Sequence, residues 1–430
     1  MSGFSERYMP EIIGTRRRFH RRPELGWTEF ETTAFIITRL EALGYEVHTG
    51  REIINPDHVL GRDPKAVAEA EARALQAGVP EALLRRMDGF TGAVGILDTG
   101  RPGPVAAFRF EIDALPIQEI TDPASGHLPA AGGFASEIPG RMHACGHDAH
   151  AAIGLGLARW ASEHRSTLRG RVKLVFQPAE EGTRGAAAMA ASGIVDDADW
   201  LFGAHVGAPA KPSEIFIVER GFMATTKFDL DFTGVPSHAG AAPEKGRSAL
   251  LAASDAALLM SAIPRTSQGD TRISVGKLAA GDGRNITPSH AHMECEVRGS
   301  TWDANSFMFG RAREAAAGAA AAFGVKCVLT KTGEASDLFS TPAAVDVMRR
   351  AATKVSGTRA KVVEECSGSE DCTMLMRSVE AHGGNAGFFL YGCSNRGHHR
   401  PDFDVQDTEN LRPGFEMFVN ILRIVSGIES

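Results

Sequence analysis

From Lys227 to Lys331 the apolar pattern reads strand, helix, strand, strand, helix, strand, and this stretch constrains the remainder of the chain most. Strands are predicted at Lys227 to Phe232, Arg272 to Lys277, His290 to Arg298 and Lys326 to Lys331. Helices are predicted at Arg247 to Ile263 and in the Ala-rich run Asn305 to Phe323. That β-α-β-β-α-β order is the ferredoxin-like split arrangement, a small domain able to bury its own core. The flanking segments must then meet around it. Before it come strand-like runs at Glu46-Val47, Gly92 to Leu97, Val105 to Ile112, Val172 to Phe176 and Leu201 to Val206, with helices at Glu31 to Leu43 and Ala151 to Glu163. After Ser336 the alternation resumes and ends in a helix over Arg412 to Val425. Such alternation argues for an α/β sheet covered by helices on both faces. With 430 residues, too many for one core, the expectation is an α/β domain formed by 1–219 and 336–430, interrupted by an α+β lid or dimerisation domain over 220–335. Asp63 to Met87, broken near Gly78-Val79-Pro80, reads as a helical insert at about 55–90.

Charge and cysteine usage exclude several function classes. A net charge of -7 gives no reason to expect a nucleic-acid partner. The six cysteines (145, 295, 327, 366, 372, 393) follow no paired spacing, which points to a reducing compartment. No apolar run is long enough to span a bilayer, and Met1-Ser2-Gly3-Phe4-Ser5-Glu6-Arg7 lacks a secretory pattern; a soluble cytoplasmic protein is expected.

The chemistry concentrates in short segments. His143-Ala144-Cys145-Gly146-His147-Asp148-Ala149-His150 places four imidazole or thiol donors in eight residues, and Gly146 lets the backbone turn sharply between Cys145 and His147. Thiolate and neutral imidazole suit zinc and other divalent transition metals. Phe176-Gln177-Pro178-Ala179-Glu180-Glu181-Gly182 sets two adjacent carboxylates at the C-terminal end of a strand, where open α/β sheets bind ligands. Leu201 to His205 is an apolar strand ending in a histidine, and Gly397-His398-His399-Arg400-Pro401-Asp402-Phe403 supplies another His pair. Cys145, His147, Glu181, His205 and one of His398 and His399 make five ligands, a number suited to two metal ions with positions left for substrate.

HACGHDAH, FQPAEEGTRGA, GAHV and HHRPDF, in that order, resemble the M20 metallopeptidases, in the amidohydrolase branch that uses a Cys-Gly-His ligand pair. FRFEIDALP (108–116) is similar to that branch's RADMDALP. TGRPGPV (99–105), GLGLA (154–158), FMATTKFD (222–229), GRN (283–285), GSED (368–371), GHH (397–399) and the helical insert most resemble the enzymes that hydrolyse p-aminobenzoyl-glutamate.

The resemblance implies a Zn-peptidase-like catalytic domain and two divalent ions, manganese or zinc, held by Cys145, His147, Glu181, His205 and His399. His399 is preferred to His398 because the family places its ligand four residues before the aromatic, here Phe403. Glu180 would be the general base. His238, in Gly234-Val235-Pro236-Ser237-His238, would reach the partner's active site in a dimer and stabilise the oxyanion there. Asn285 and Arg298, on lid elements, would meet the substrate, Arg298 by clamping its carboxylate. The implied reaction is amide cleavage in an N-acyl or N-aroyl amino acid, p-aminobenzoyl-glutamate first; the alternatives are conjugates such as indole-acetyl-aspartate, or a supporting non-catalytic role in a two-chain hydrolase. A homodimer through the lid is implied, or an assembly with a homologous second subunit. Two departures stand out: Glu111 replaces the family's first aspartate, and Val405-Gln406-Asp407 replaces its usual Asp-Glu after the aromatic. The first puts local packing in question, the second the support of His399.

Overall fold

The computed structural model describes residues 4–207, 209–364 and 368–428; Met1, Ser2, Gly3 and Cys366 lie outside the described residues. The chain divides into two compact units. The first comprises Met1–Gly221, Phe339–Cys366 and Asp371–Ser430, the second Phe222–Leu338 and Ser367–Glu370.

The first unit is built on an eight-stranded mixed sheet. Its spatial order is Glu46–Thr49, Ala93–Asp98, Arg171–Gln177, Val105–Glu111, Trp200–Val206, Asn385–Tyr391, Glu214–Val218 and Arg359–Val363. The four strands from Arg171–Gln177 to Asn385–Tyr391 run parallel to one another. Parallel strands must be covered on both faces, and all seven residues of Val105–Glu111 are accordingly buried. Glu46–Thr49, Ala93–Asp98 and Glu214–Val218 join by antiparallel pairing. The sheet therefore presents four parallel C-terminal ends side by side, the edge on which ligands bind.

The second unit is a four-stranded antiparallel sheet in the order Lys326–Ala335, Ala224–Thr233, His290–Gly299, Thr271–Ala280. Helices Ala249–Ser261 and Trp302–Phe323 pack on one face, where Phe228, Leu230, Phe232, Met293 and Val297 meet Ala252, Ala253, Ala256, Ala312 and Ala316. The alanines let the two helices approach each other and the sheet closely. Ser248 and Thr301 cap their N-termini through Leu251 N and Ala304 N, and left-handed Gly324 ends the longer one.

Three elements differ from the sequence reading. A buried first helix, Met9–Arg21, escapes it because five arginine and histidine side chains mask the apolar stripe of Ile12 and Phe19. The helix expected from Ala151 begins at His147, so the donor-rich octet is itself a helix start. The last helix begins at Asp407 and not at Arg412. Pro413 reads as a helix start, yet it lies inside the helix, where the chain tolerates the lost backbone donor. The insert forms two helices, Pro64–Gln76, capped by Asp63, and Glu81–Met87. The described cysteines are all free, and no described helix is long and apolar enough to cross a membrane.

Candidate metal centre

Gly146 decides how the octet folds. It adopts φ +99°, and a Cβ there would stand 2.4 Å from Val206 Cγ1. Only glycine takes that turn against the neighbouring strand. The turn swings Cys145 and His147 toward the end of Trp200–Val206, so that Cys145 Sγ lies 3.4 Å from His205 Nε2.

The second loop follows Arg171–Gln177. Ala179 is left-handed at φ +52°, an unfavourable conformation for alanine. It is held there by its N–H donating to Glu29 Oε1 at 2.8 Å. Asp371 braces the same loop from behind: Oδ1 accepts from Gln177 Nε2 and Arg109 Nη2, and Oδ2 from Gly185 N and Ala186 N. Glu180 and Glu181 are thereby presented at the sheet edge, with Glu180 Oε2 3.7 Å from His147 Nε2. His399, left-handed at φ +60°, donates its backbone N–H to Ala144 O and sets its Nε2 3.4 Å from Glu181 Oε1.

Tautomers follow from the partners, because a carbonyl oxygen can only accept. His147 Nδ1 donates to Asp113 O at 2.9 Å, so in the neutral ring Nε2 is the nitrogen that carries the lone pair; that atom is buried without a hydrogen-bond partner. His205 Nδ1 donates to Val206 O, which turns the lone pair of Nε2 toward Cys145. Glu181 Oε1 is also buried without a hydrogen bond. Leaving such atoms unsatisfied costs about 1–3 kcal/mol each, and a cation between them removes the cost. Cys145, His147 and His205 bring one donor atom each within 4.8 Å of one another; so do Cys145, Glu181 and His399, and so do His147, Glu180 and Glu181. The donor set fits divalent metal.

The other octet histidines have different fates. His150 Nε2 accepts from Val206 N and its Nδ1 donates to Glu111 Oε1, so neither nitrogen has a free lone pair. His143 is buried with neither nitrogen bonded, and burial lowers its pKa to about 4, keeping it neutral. His398 Nε2 donates to Val206 O at 2.9 Å.

The crowding of these donors sets their electrostatics. Burial, then the Glu181 charge, pushes the Cys145 thiol well above its usual range. Burial works to lower His147, but the hydrogen bond to Asp113 and interactions with Cys145 and Glu111 outweigh it and raise the imidazole well above normal. Burial and neighbouring His150 and His398 hold His205 well below normal.

The two departures resolve as packing. Glu111 reaches both Arg109 Nη1 at 2.9 Å and His150 Nδ1 at 2.8 Å, linking a buried arginine to the histidine that holds Val206. Asp407 pairs with Arg16 and Arg17, and Gln406 accepts from Ser394 N, so neither supports the His399 side chain. Asp113, for which the sequence leaves ligand orientation and a structural cap equally open, organises two donors: besides His147, its Oδ2 accepts from Glu181 N at 2.9 Å. Sequence reasoning missed Arg109, Gln177 and Asp371, although the GSED motif contains the last.

The remaining site residues lie in the second unit. His238 is exposed, and its Nδ1 accepts from Gly240 N and Ala241 N, leaving Nε2 as an outward N–H donor. Asn285 is exposed in a turn, its carbonyl accepting from Ala239 N. Arg298 is half-buried and pairs through Nε and Nη2 with both oxygens of Glu296.

Comparison with known proteins agrees with this geometry. The family model for peptidase family M20/M25/M40 matches residues 107–424. The chain is 43% identical over 412 residues to the indole-3-acetyl-aspartic acid hydrolase of Enterobacter agglomerans, covering 95% of this chain and 94% of that one. It is 42% identical over 412 residues to one of the subunits of p-aminobenzoyl-glutamate hydrolase from Escherichia coli, with the same coverage. The crystal structure of an aminobenzoyl-glutamate utilization protein from Klebsiella pneumoniae superposes with a TM-score of 0.83 at 37% identity, covering 99% of this chain and 98% of that one. A donor cluster at the ends of parallel strands and a match across most of the chain have one reading: this chain is a hydrolase and belongs to peptidase family M20/M25/M40.

Proposed function

We propose that the chain is a binuclear metal-dependent amidohydrolase that cleaves N-acyl or N-aroyl amino acids, p-aminobenzoyl-glutamate foremost, to the free acid and amino acid. The observation that carries this is the convergence of Cys145, His147, Glu181, His205 and His399, with buried lone pairs turned inward and Glu180 beside them. These five are the proposed ligands. Two divalent ions held by these residues would supply Lewis acidity for the scissile carbonyl and for water. Cys145 favours zinc by its softness, and the carboxylate favours manganese. Glu180 takes the proton of the attacking water and hands it to the leaving nitrogen. His238, with Nε2–H free to donate, stabilises the oxyanion in the partner's site of a lid-mediated homodimer. Pairing with a homologous second chain is the other assembly, since the Escherichia coli relative is one subunit of its enzyme. Asn285 and Arg298 bind the substrate's α-carboxylate, Arg298 by exchanging Glu296 for it. The free cysteines support a cytoplasmic setting.

The second reading keeps the mechanism and changes the acyl group to indole-acetyl, on the strength of the 43% identical relative. A panel of p-aminobenzoyl-glutamate, indole-acetyl-aspartate and N-acetyl amino acids, assayed with Mn²⁺ and with Zn²⁺, decides between them. Absence of hydrolysis across the panel with metal bound would sink both.

A further inference from the structure

The helical insert is stitched at both ends to the loop that presents Glu180 and Glu181. Where the chain enters the insert, Asn55 donates its backbone N–H to Ala188 O at 2.9 Å and its Nδ2 to Ala191 O at 3.1 Å, which fastens it to the short helix Ala186–Ala190 that follows the loop. Trp27, buried and left-handed at φ +68°, donates from Nε1 to Leu60 O at 2.8 Å. Where the chain leaves the insert, Thr91 Oγ1 donates to Glu29 Oε2 at 2.6 Å, and Oε1 of the same carboxylate holds Ala179 N. Gly92, at φ +96°, lies so close to the loop that a Cβ there would stand 2.7 Å from Pro178 Cδ.

One side chain joins the insert to the carboxylates directly. Arg184 donates from Nε to Glu181 O at 2.7 Å and from Nη1 to Gly61 O at 3.1 Å. Its guanidinium lies over Gly26, where a Cβ would collide with Nη2 and stand 2.9 Å from Ala179 Cα. The loop needs such a clamp, because Ala179, Gly182 and Thr183 are left-handed at φ +52°, +83° and +61°, and two of the three carry a Cβ. A strained turn of this kind persists only where its surroundings over-determine it. Around Glu181 they do: Asp113 Oδ2 holds its N–H and Arg184 holds its carbonyl, so the peptide groups on both sides of the proposed ligand are fixed.

We infer that Arg184 is a positioning residue that ties the carboxylate loop to the insert, and so sets Glu181 toward a divalent ion and Glu180 for proton transfer. The insert then belongs to the support of the site and is not a surface appendage. The roles of Glu180 and Glu181 rest on the amidohydrolase reading above; the clamp on their backbone does not.

The test compares the full chain with Arg184→Met, Arg184→Lys and Trp27→Phe. Arg184→Met keeps the length of the stem and loses both donors. Two measurements need no turnover: Mn²⁺ affinity by calorimetry, and amide hydrogen exchange over 179–184 in the metal-free protein. Arg184→Met should bind Mn²⁺ about 10- to 100-fold more weakly, the range found when a group that orients a ligand is removed. Exchange over 179–184 should quicken while exchange elsewhere and the melting temperature stay as in the wild type. On p-aminobenzoyl-glutamate at saturating Mn²⁺, kcat should fall by a similar factor with KM little changed, since the role assigned to Arg184 involves no contact with substrate. Arg184→Lys retains a donor for Glu181 O and should recover part of both losses. Trp27→Phe cuts another tie of the insert and should shift the same quantities in the same direction by less. Unchanged Mn²⁺ affinity and exchange in Arg184→Met would overturn the inference. So would a lowered melting temperature with faster exchange throughout the first unit, which would make Arg184 a general stabilising contact. A full effect of Arg184→Met beside none from Trp27→Phe would remove the insert from the clamp. If the wild type binds Mn²⁺ but hydrolyses no conjugate, the amidohydrolase reading fails, and affinity and exchange decide the clamp alone.

Discussion

Asp113 serves two donors at once: its backbone carbonyl and Oδ1 lie 2.9 and 3.2 Å from His147 Nδ1, and its Oδ2 holds the backbone of Glu181. A carboxylate in that position orders the site before any ion arrives, as ligand-orienting hydrogen bonds generally do. Its effect on Glu180 is indirect, so the acid–base step can be isolated. Glu180→Gln should bind metal as the wild type does but lose about 100- to 10,000-fold in kcat. Mass spectrometry for metal content, beside steady-state kinetics, checks both halves; near-normal turnover at full occupancy would falsify the assignment. At this scale much was legible from sequence. Cys145, His147, Glu180, Glu181 and His205 lie in short motifs at strand ends or a helix start, where position along the chain implies position in space. For Asp113 the sequence left ligand orientation and a structural cap equally open, because its partners are 34 and 68 residues away.

Among the elements, Arg16 ties together three parts of the first unit. From the first helix its guanidinium reaches Asp148, on the helix that begins with His147, and Asp404 and Asp407 near the last helix, at 2.7, 2.8 and 3.4 Å with every partner buried. Removing the cation leaves buried carboxylates uncompensated, so Arg16→Met should destabilise the protein by about 3–5 kcal/mol. Urea denaturation measures this, and a loss no greater than that of a surface substitution would refute it. Beside it Glu119 accepts from His20 Nε2 and His127 Nε2. Burial tends to raise its pKa, but these bonds prevail and bring it from 4.5 to about 2. The unfolded chain therefore binds the proton first as pH falls, and the stability Glu119 contributes is complete above pH 4.5 and lost between 4.5 and about 2. It is on the order of 3 kcal/mol. The stability gap between wild type and Glu119→Gln should stay constant from about pH 7 to 5 and narrow below 4.5; a gap that widens in acid contradicts the assignment. None of this network was legible, since Arg16 and its last partner are 391 residues apart. The strands up to Val206 and those of the second unit were readable because their apolar runs are bounded by turn residues, whereas Glu214–Val218, Arg359–Val363 and Asn385–Tyr391 were not singled out. The first and last helices were misjudged because charge and an internal proline disguised them.

For the whole molecule, the proposed trans role of His238 predicts complementation. His238→Ala should lower turnover while leaving metal content and melting temperature unchanged. Mixed with Glu180→Gln under conditions of proven subunit exchange, it should regain part of the wild-type activity, because one site of the mixed dimer then has both groups intact. No recovery would place His238 outside a neighbour's chemistry.

The position of Asn385–Tyr391 in the sheet carries a consequence for synthesis. This strand lies between Trp200–Val206 and Glu214–Val218, and it is made long after both. On the ribosome, the nascent chain exposes two unpaired strand edges at the middle of its largest sheet while the intervening antiparallel unit, whose strands are contiguous in sequence, can already fold. The loop that follows the late strand delivers His399. Closing the sheet therefore also brings in the loop of His399, and a prematurely terminated chain is denied both its core and the fifth of the proposed ligands.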